Sequence, residues 1–159
     1  MLHFLLLMNR HGKVRLSKWF STHSQKERTE ITKEVRAKQL KTLVIGRSSK
    51  LCNFLEWRDL IVVYKRYASL YFVASTDKDE NELLTLEIAH FYVELLDKYF
   101  GNVCELDIIF NFHKAYYMLD EMIIAGHMLE SSKKQIQQAI SSQDCIMQTE
   151  EEANSSRRR

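Results

Sequence analysis

The residues whose types and spacing could do chemistry lie in a few places along the chain. Glu87 and His90 stand three apart, the interval that puts a carboxylate and an imidazole on one helix face, as in half of a carboxylate-bridged metal site. Such a site also needs a second Glu-x-x-His and further inward carboxylates, and the chain has neither. Glu105 with Asp107, and Asp120 beside Glu121, have the types for general acid–base work, but carboxylates so spaced near helix ends more commonly cap backbone N–H groups or stay solvated. Cys52, Cys104 and Cys145 lie far apart with no CxxC and no histidine close in sequence. There is no GxSxG, and the four glycines cannot build a phosphate-cradling loop. No catalytic residue, metal ligand or cofactor is therefore assigned.

The bounds agree with a non-catalytic role. A chain of 159 residues fits one domain and buries roughly two thirds of the surface its unfolded form exposes. Its 23 Lys and Arg against 21 Asp and Glu give a formal charge of +2, too balanced for a nucleic-acid binder. An odd number of scattered cysteines suits a reducing compartment, so the cytosolic side is expected. The apolar opening "MLHFLLLM" is too short to span a bilayer and lacks the marks of a signal peptide.

These residues must be held by a framework, and its pieces are readable. Leu2 to Met8 and then "VRLSKWF" form two strands around a tight turn at Gly12. Ser24 and Glu27 make a capping box for a helix to about Arg36, mostly polar apart from Ile31 and Val35. The aperiodic, basic stretch 38–50 reads as a surface loop. Leu51 to Thr76, rich in Val, Tyr, Phe and Trp, predicts two or three strands with breaks near Arg58-Asp59 and Ser75-Thr76; both parities are apolar, so this sheet is covered on both faces. Leu84, Ile88, Phe91, Leu95 and Tyr99 recur at helical spacing, ended by Lys98 and Gly101. Shorter helices follow through "CELDIIFN", from about Phe112 to Ala125, and from Ser131 to about Ser142. The tail "EEEANSSRRR" is expected to be disordered. Strands first and helices afterwards give an α+β class.

Two features remain unexplained by this frame. The helices carry a surplus of large apolar residues, Phe91, Tyr92, Tyr99, Phe100, Phe110, Phe112, Tyr116, Tyr117 and Met122, for one small sheet. The run "YKRYASLYF" (64–72) places Lys65 and Arg66 among aromatics and then spends small Ala68 and Ser69 where a packed strand carries bulk.

"NRHGKV" followed by "RLSKWF", "VYKRYASLYF", and the long block from Asn81 to Gly126 together resemble the small (sigma) subunits of the heterotetrameric clathrin adaptor complexes, over Leu2 to about Ile140. "YKRYASLYF", "KYFGNVCELD" and "ESSKK" are more similar to the trans-Golgi and endosomal adaptor than to the plasma-membrane one, whose small subunit usually has Gly at position 69 and none at 101. The loop at 38–50 is longer than the family's, and the Arg-ending tail departs from it.

The resemblance implies a longin-like (SNARE-like) domain over 1–145, a five-stranded antiparallel sheet with helices on both faces, followed by the tail 146–159. It implies no enzymatic activity and burial against the trunk of a gamma-like large adaptin, with beta adaptin and a medium subunit completing the tetramer. Clathrin and an Arf GTPase would be reached through the complex, and membrane contact would be indirect, on the cytosolic face of the trans-Golgi network, endosomes and coated vesicles. Carried over position by position, a pocket for acidic dileucine signals in cargo tails falls on Ala68, Leu70, Val93, Asn102, Val103 and Ile108, with Arg15 near the acidic residue. On this reading Ala68 and Leu70 share a strand face, and small Ala68 leaves room for a cargo leucine. A plasma-membrane sigma subunit, or a longin-type scaffold of another coat such as a coatomer zeta subunit, are the alternatives.

Overall fold

The computed structural model describes residues 1–36 and 54–157; the stretch 38–50 lies outside them. Its centre is a pair of strands with almost no solvent-facing side. β1 (Leu2–Asn9) and β5 (Leu70–Asp77) run antiparallel, and nearly every residue of both is buried. That is why each reads as a continuous apolar run rather than an alternating one. β2 (Val14–Trp19) flanks β1, and β4 (Leu60–Tyr67) with β3 (Phe54–Trp57) extends the other side, giving the antiparallel order β2-β1-β5-β4-β3.

Period-two alternation divides the strands between two cores. On one face Phe4, Leu6, Met8, Val62, Tyr64, Tyr71 and Val73 meet Ile31 of α1 (Gln25–Arg36) beside Trp19 and Trp57. On the other, Leu5, Leu7, Leu70, Phe72 and Ala74 meet Ala89, Tyr92, Val93, Leu95 and Leu96 of α2 (Glu82–Phe100) and the helices that follow; of the stripe read from the sequence only Leu95 is buried, Ile88, Phe91 and Tyr99 are partly buried and Leu84 is exposed. The β1–β5 register shifts between Leu2 and Phe4, which lets Leu2 join the second core despite its parity with Phe4.

The capping expected at Ser24 and Glu27 is present, with the Ser24 N–H donating to Glu27 at 2.8 Å and the Glu27 N–H to Ser24 Oγ at 3.3 Å. α2 begins on an Asn81 cap and ends at left-handed Gly101, whose N–H donates to the Asp97 carbonyl. After it come α3 (Glu105–Phe110), α4 (Phe112–Met122), the short hairpin β6 (Ile123–Ile124) and β7 (His127–Met128), and α5 (Lys133–Arg157). Lys114 of α4, 7% exposed, pairs with Asp144 of α5, which also accepts from Tyr99 of α2 at 2.8 Å, so three helices share one partly buried polar joint. Burial, reinforced by that bond, pushes the Tyr99 phenol up to about 12.

Further expectations change. The break placed at Ser75-Thr76 falls inside β5, and the turn is instead Ala68-Ser69, with Tyr67 paired to Leu70 across it. The helix from Phe112 stops at Met122, and the chain turns back on itself at Ala125-Gly126. The last helix passes Ser142 and continues to Arg157 in place of a disordered tail; no Gly or Pro after Gly126 interrupts it. The surplus apolar residues are mostly consumed, with Tyr92 and Met122 fully buried and several others packed against the core, leaving Phe110 and Phe112 exposed.

Gly126 locks the hairpin to the sheet. Its carbonyl accepts from the Leu2 N–H at 3.0 Å, its φ is +80°, and a Cβ there would lie 2.5 Å from the Leu2 carbonyl oxygen. Gly126→Ala is expected to cost about 2 kcal/mol or more, from left-handed strain added to a backbone clash. A thermal midpoint unchanged from wild type would contradict this contact.

Candidate functional site

The residues singled out from the sequence gather at one end of the sheet. Asn9, the last residue of β1, pairs with Leu70, the first of β5, so the β4–β5 turn lies at the same end as the β1–β2 turn. The chain leaving α2 reaches this end through Gly101 and Asn102, both left-handed with φ of 65° and 62°. Asp97 fixes that exit: its carbonyl takes the Gly101 N–H at 2.8 Å and its side chain the Val103 N–H at 3.1 Å. The chain is thereby reversed, and Val103 returns to the core before α3 starts. Cys104 N–H donates to Asp107 at 2.9 Å, so Asp107 is the capping carboxylate expected of it.

Leu70, Val93, Val103 and Ile108 all belong to the large core on the helix side of the sheet, 0, 0, 3 and 0% exposed, together with residues as far apart as Leu2 and Ile140. The four come from β5, α2, the α2–α3 connection and α3. Ala68 and Asn102 do not join them inside; both are exposed, left-handed turn residues. Ala68 therefore does not share a strand face with Leu70, and it leaves no hole within a strand. The small residue is there because the chain reverses in two residues with φ of 51° at Ala68, which bulky β-branched side chains resist. The cluster is filled by the chain's own side chains. A cavity of about 410 Å³ lies instead at the opposite end of β1, lined by Met1, Leu2, Leu84, Ile88, Phe91 and Met128 among others.

Arg15 is tied to the start of α3 by a partner that the sequence did not single out for it. Its Nε and Nη2 reach Glu105 Oε1 at 2.7 and 2.6 Å, and Asn9 Nδ2 donates to the same oxygen at 3.0 Å. Asn9 is itself buried and fixed at its other end, where Oδ1 accepts from the N–H groups of His11 and Lys13. Glu105 is thus a partly buried ion-pair member rather than a solvated helix-end carboxylate. Burial raises its pKa, but the bonds from Arg15 and Asn9 and the charge of Arg15 outweigh that and hold it below the usual value. No local signal could reveal the pair, since the partners are 90 residues apart.

The other candidates stay on the surface network. His90 Nδ1 lies 3.2 Å from Lys65 Nζ, and its Nε2 lies 3.7 Å from Glu94. Arg66 sits over the Tyr71 ring and donates to the Ala68 carbonyl. Asp120 pairs with Lys18. Among the described residues no group of three or more His, Cys, Asp and Glu could hold a metal ion, and no helix is long and apolar enough to cross a membrane. This end of the molecule thus joins buried aliphatic residues to a polar rim in which Arg15 is paired with Glu105 and Arg66 lies over Tyr71.

Comparison with known proteins gives consistent results. The family model for the clathrin adaptor complex small chain matches residues 1–147. The sequence is 56% identical to AP-1 complex subunit sigma-2 of Arabidopsis thaliana over 98% of this chain and 93% of that one. Identity is 55% with mouse AP-1 complex subunit sigma-3, covering 96% of each, and 52% with human AP-1 complex subunit sigma-1A, covering 98% and 95%. The fold is similar to a chain in a homology model of the full-length AP-3 complex in a stretched open conformation, with TM-score 0.69, 27% identity, and coverage of 98% and 99%.

Because Glu105 has a depressed pKa, the sign of its effect is set. Its contribution to stability is complete above the ordinary glutamate value of 4.5 and is lost as pH falls through the lower folded value. A carboxyl NMR titration is expected to place the Glu105 midpoint below 4.5. Arg15→Ser should move it up, because burial then faces less opposition. A midpoint indifferent to that substitution would show that the pair does not form in solution.

Proposed function

We propose, from the premise that this chain belongs to the clathrin adaptor complex small-chain family and has its longin-like α+β fold, that it serves as the sigma subunit of an AP-1-type adaptor and receives acidic dileucine signals at the Leu70–Val93–Val103–Ile108 cluster. The observation that supports the reading is that those four side chains, from four separate segments, are buried in one core, with Arg15 bonded to Glu105 at the start of the helix that carries Ile108. In this role the chain does no chemistry. It braces the trunk of a gamma-like large adaptin, alongside beta adaptin and a medium subunit, and sorts membrane-protein tails between trans-Golgi network and endosomes on the cytosolic face, with clathrin and an Arf GTPase engaged through the complex. Exposed Leu106, Phe110 and Phe112 on α3 and α4 suit the covered face of such a subunit.

Because the cluster is closed, a cargo leucine enters by displacing side chains that already fill it. Burial of two leucines contributes on the order of 1.5 to 3 kcal/mol each, and a partly exposed carboxylate–Arg15 pair about 0.2 to 1 kcal/mol. After repacking and peptide ordering, a dissociation constant between roughly 1 mM and 1 μM follows, suited to cargo that must later be released.

Val93 lies on the buried face of α2, so Val93→Asp would put a charge into the core of this chain and threaten the fold together with the site. Val103 precedes α3 and is the gentler probe. Val103→Ser is expected to weaken an acidic dileucine peptide about tenfold in titrations of the assembled complex, with the tetramer intact. Arg15→Ser should weaken it less. Unchanged affinity in an assembled Val103→Ser complex would place the leucines elsewhere.

A further inference from the structure

Arg15 is not free to meet a cargo carboxylate with its whole fork. Nε and Nη2, which form one edge of the guanidinium, both converge on Glu105 Oε1. The Arg15 and Glu105 side chains are only 21% and 25% exposed, so water screens the pair incompletely. Glu105 cannot readily swing aside, because buried Asn9 also grips the same oxygen and is itself held by two backbone N–H groups. What remains for a ligand is the other edge of a guanidinium whose charge is already matched.

We infer that Glu105 is a specificity-setting residue that acts through Arg15: it occupies one edge of the fork and cancels its charge, so the site selects peptides by their two leucines and gives the acidic residue a minor share. The inference rests on the cargo reading above and adds to it a reason for tolerance at the acidic position. A carboxylate of the peptide can still accept from the open edge, but it approaches a neutral pair, where attraction is weak and short in range. With Glu105 neutral, the same carboxylate would meet an uncompensated cation.

The test measures two peptides that differ only at the acidic position, Glu or Gln, on complexes assembled with the full chain. The readout is the ratio of their dissociation constants. Wild type is expected to prefer the acidic peptide by less than about fivefold, with a preference that changes less than about twofold between 50 and 500 mM salt. Glu105→Gln keeps the shape and should raise the ratio about two- to fivefold at low salt. Glu105→Asp keeps the charge and should leave the ratio near wild type. If Glu105→Gln shifts both peptides equally, Glu105 only braces the structure and the inference is overturned. Should that variant fail to assemble, the wild-type salt series decides alone: an acidic preference that falls severalfold with salt would mean that Arg15 is uncompensated, and would overturn it too. If wild type binds neither peptide, the cargo reading itself fails and takes this inference with it.

Discussion

The molecule depends on the burial of both faces of β1 and β5. A strand pair that is apolar on either side cannot exist until something covers each face, so α1 on one side and α2 with its successors on the other are requirements of the central strands. The same condition fixes register, because a one-residue slip would exchange the two sets of side chains between cores of different shape. With register fixed, the end of the sheet is fixed as well: Asn9 must lie opposite Leu70, and the two flanking turns must share that end.

Function in this account is a consequence of where that core stops. Leu70, Val93, Val103 and Ile108 are core residues by burial, and on the proposed reading they would be site residues too, so one core would serve stability and recognition. Opening it for a peptide would expose part of the apolar contact that holds α2 and α3 to the sheet, and the peptide's leucines would replace that contact. Net affinity is the difference between two similar terms, which keeps it weak even though each leucine buries well. The Asn9–Glu105–Arg15 contact ties α3 to β1 and β2, so the element that must shift is also the one held by the ion pair.

Much of this was legible from residue order, and the rest fails for stated reasons. The capping box at Ser24 and Glu27 and the glycine stop of α2 are local patterns a few residues long, and both are present; the stripe Leu84, Ile88, Phe91, Leu95 and Tyr99 lies to one side of the face that is buried, Thr85, Ala89, Tyr92, Val93, Leu95 and Leu96, because both rows are apolar enough to compete for the core. The two-residue turn at Ala68-Ser69 was read through, because neither residue is a Gly, Asn or Pro that would announce it, and apolar residues continue on both sides. β6 and β7 are two residues each, shorter than any period, and Ile123-Ile124 extends the helical pattern of α4. The tail was read as disordered from composition, whereas the unbroken helix reflects the absence of helix breakers after Gly126. The four apolar site residues were reached through resemblance, and their gathering needed the fold. Glu105 was noticed as a cap and not as a partner of Arg15, since pairing across 90 residues is a property of topology alone.

The most direct test of the central claim is a high-resolution structure of the assembled complex with an acidic dileucine peptide bound. The account predicts both leucine side chains among Leu70, Val93, Val103 and Ile108, those four shifted from their closed packing, and Glu105 still on Arg15. Leucines seated in the cavity beside Met1, Ile88 and Phe91, or on the exposed Phe110–Phe112 surface with the cluster unchanged, would contradict it.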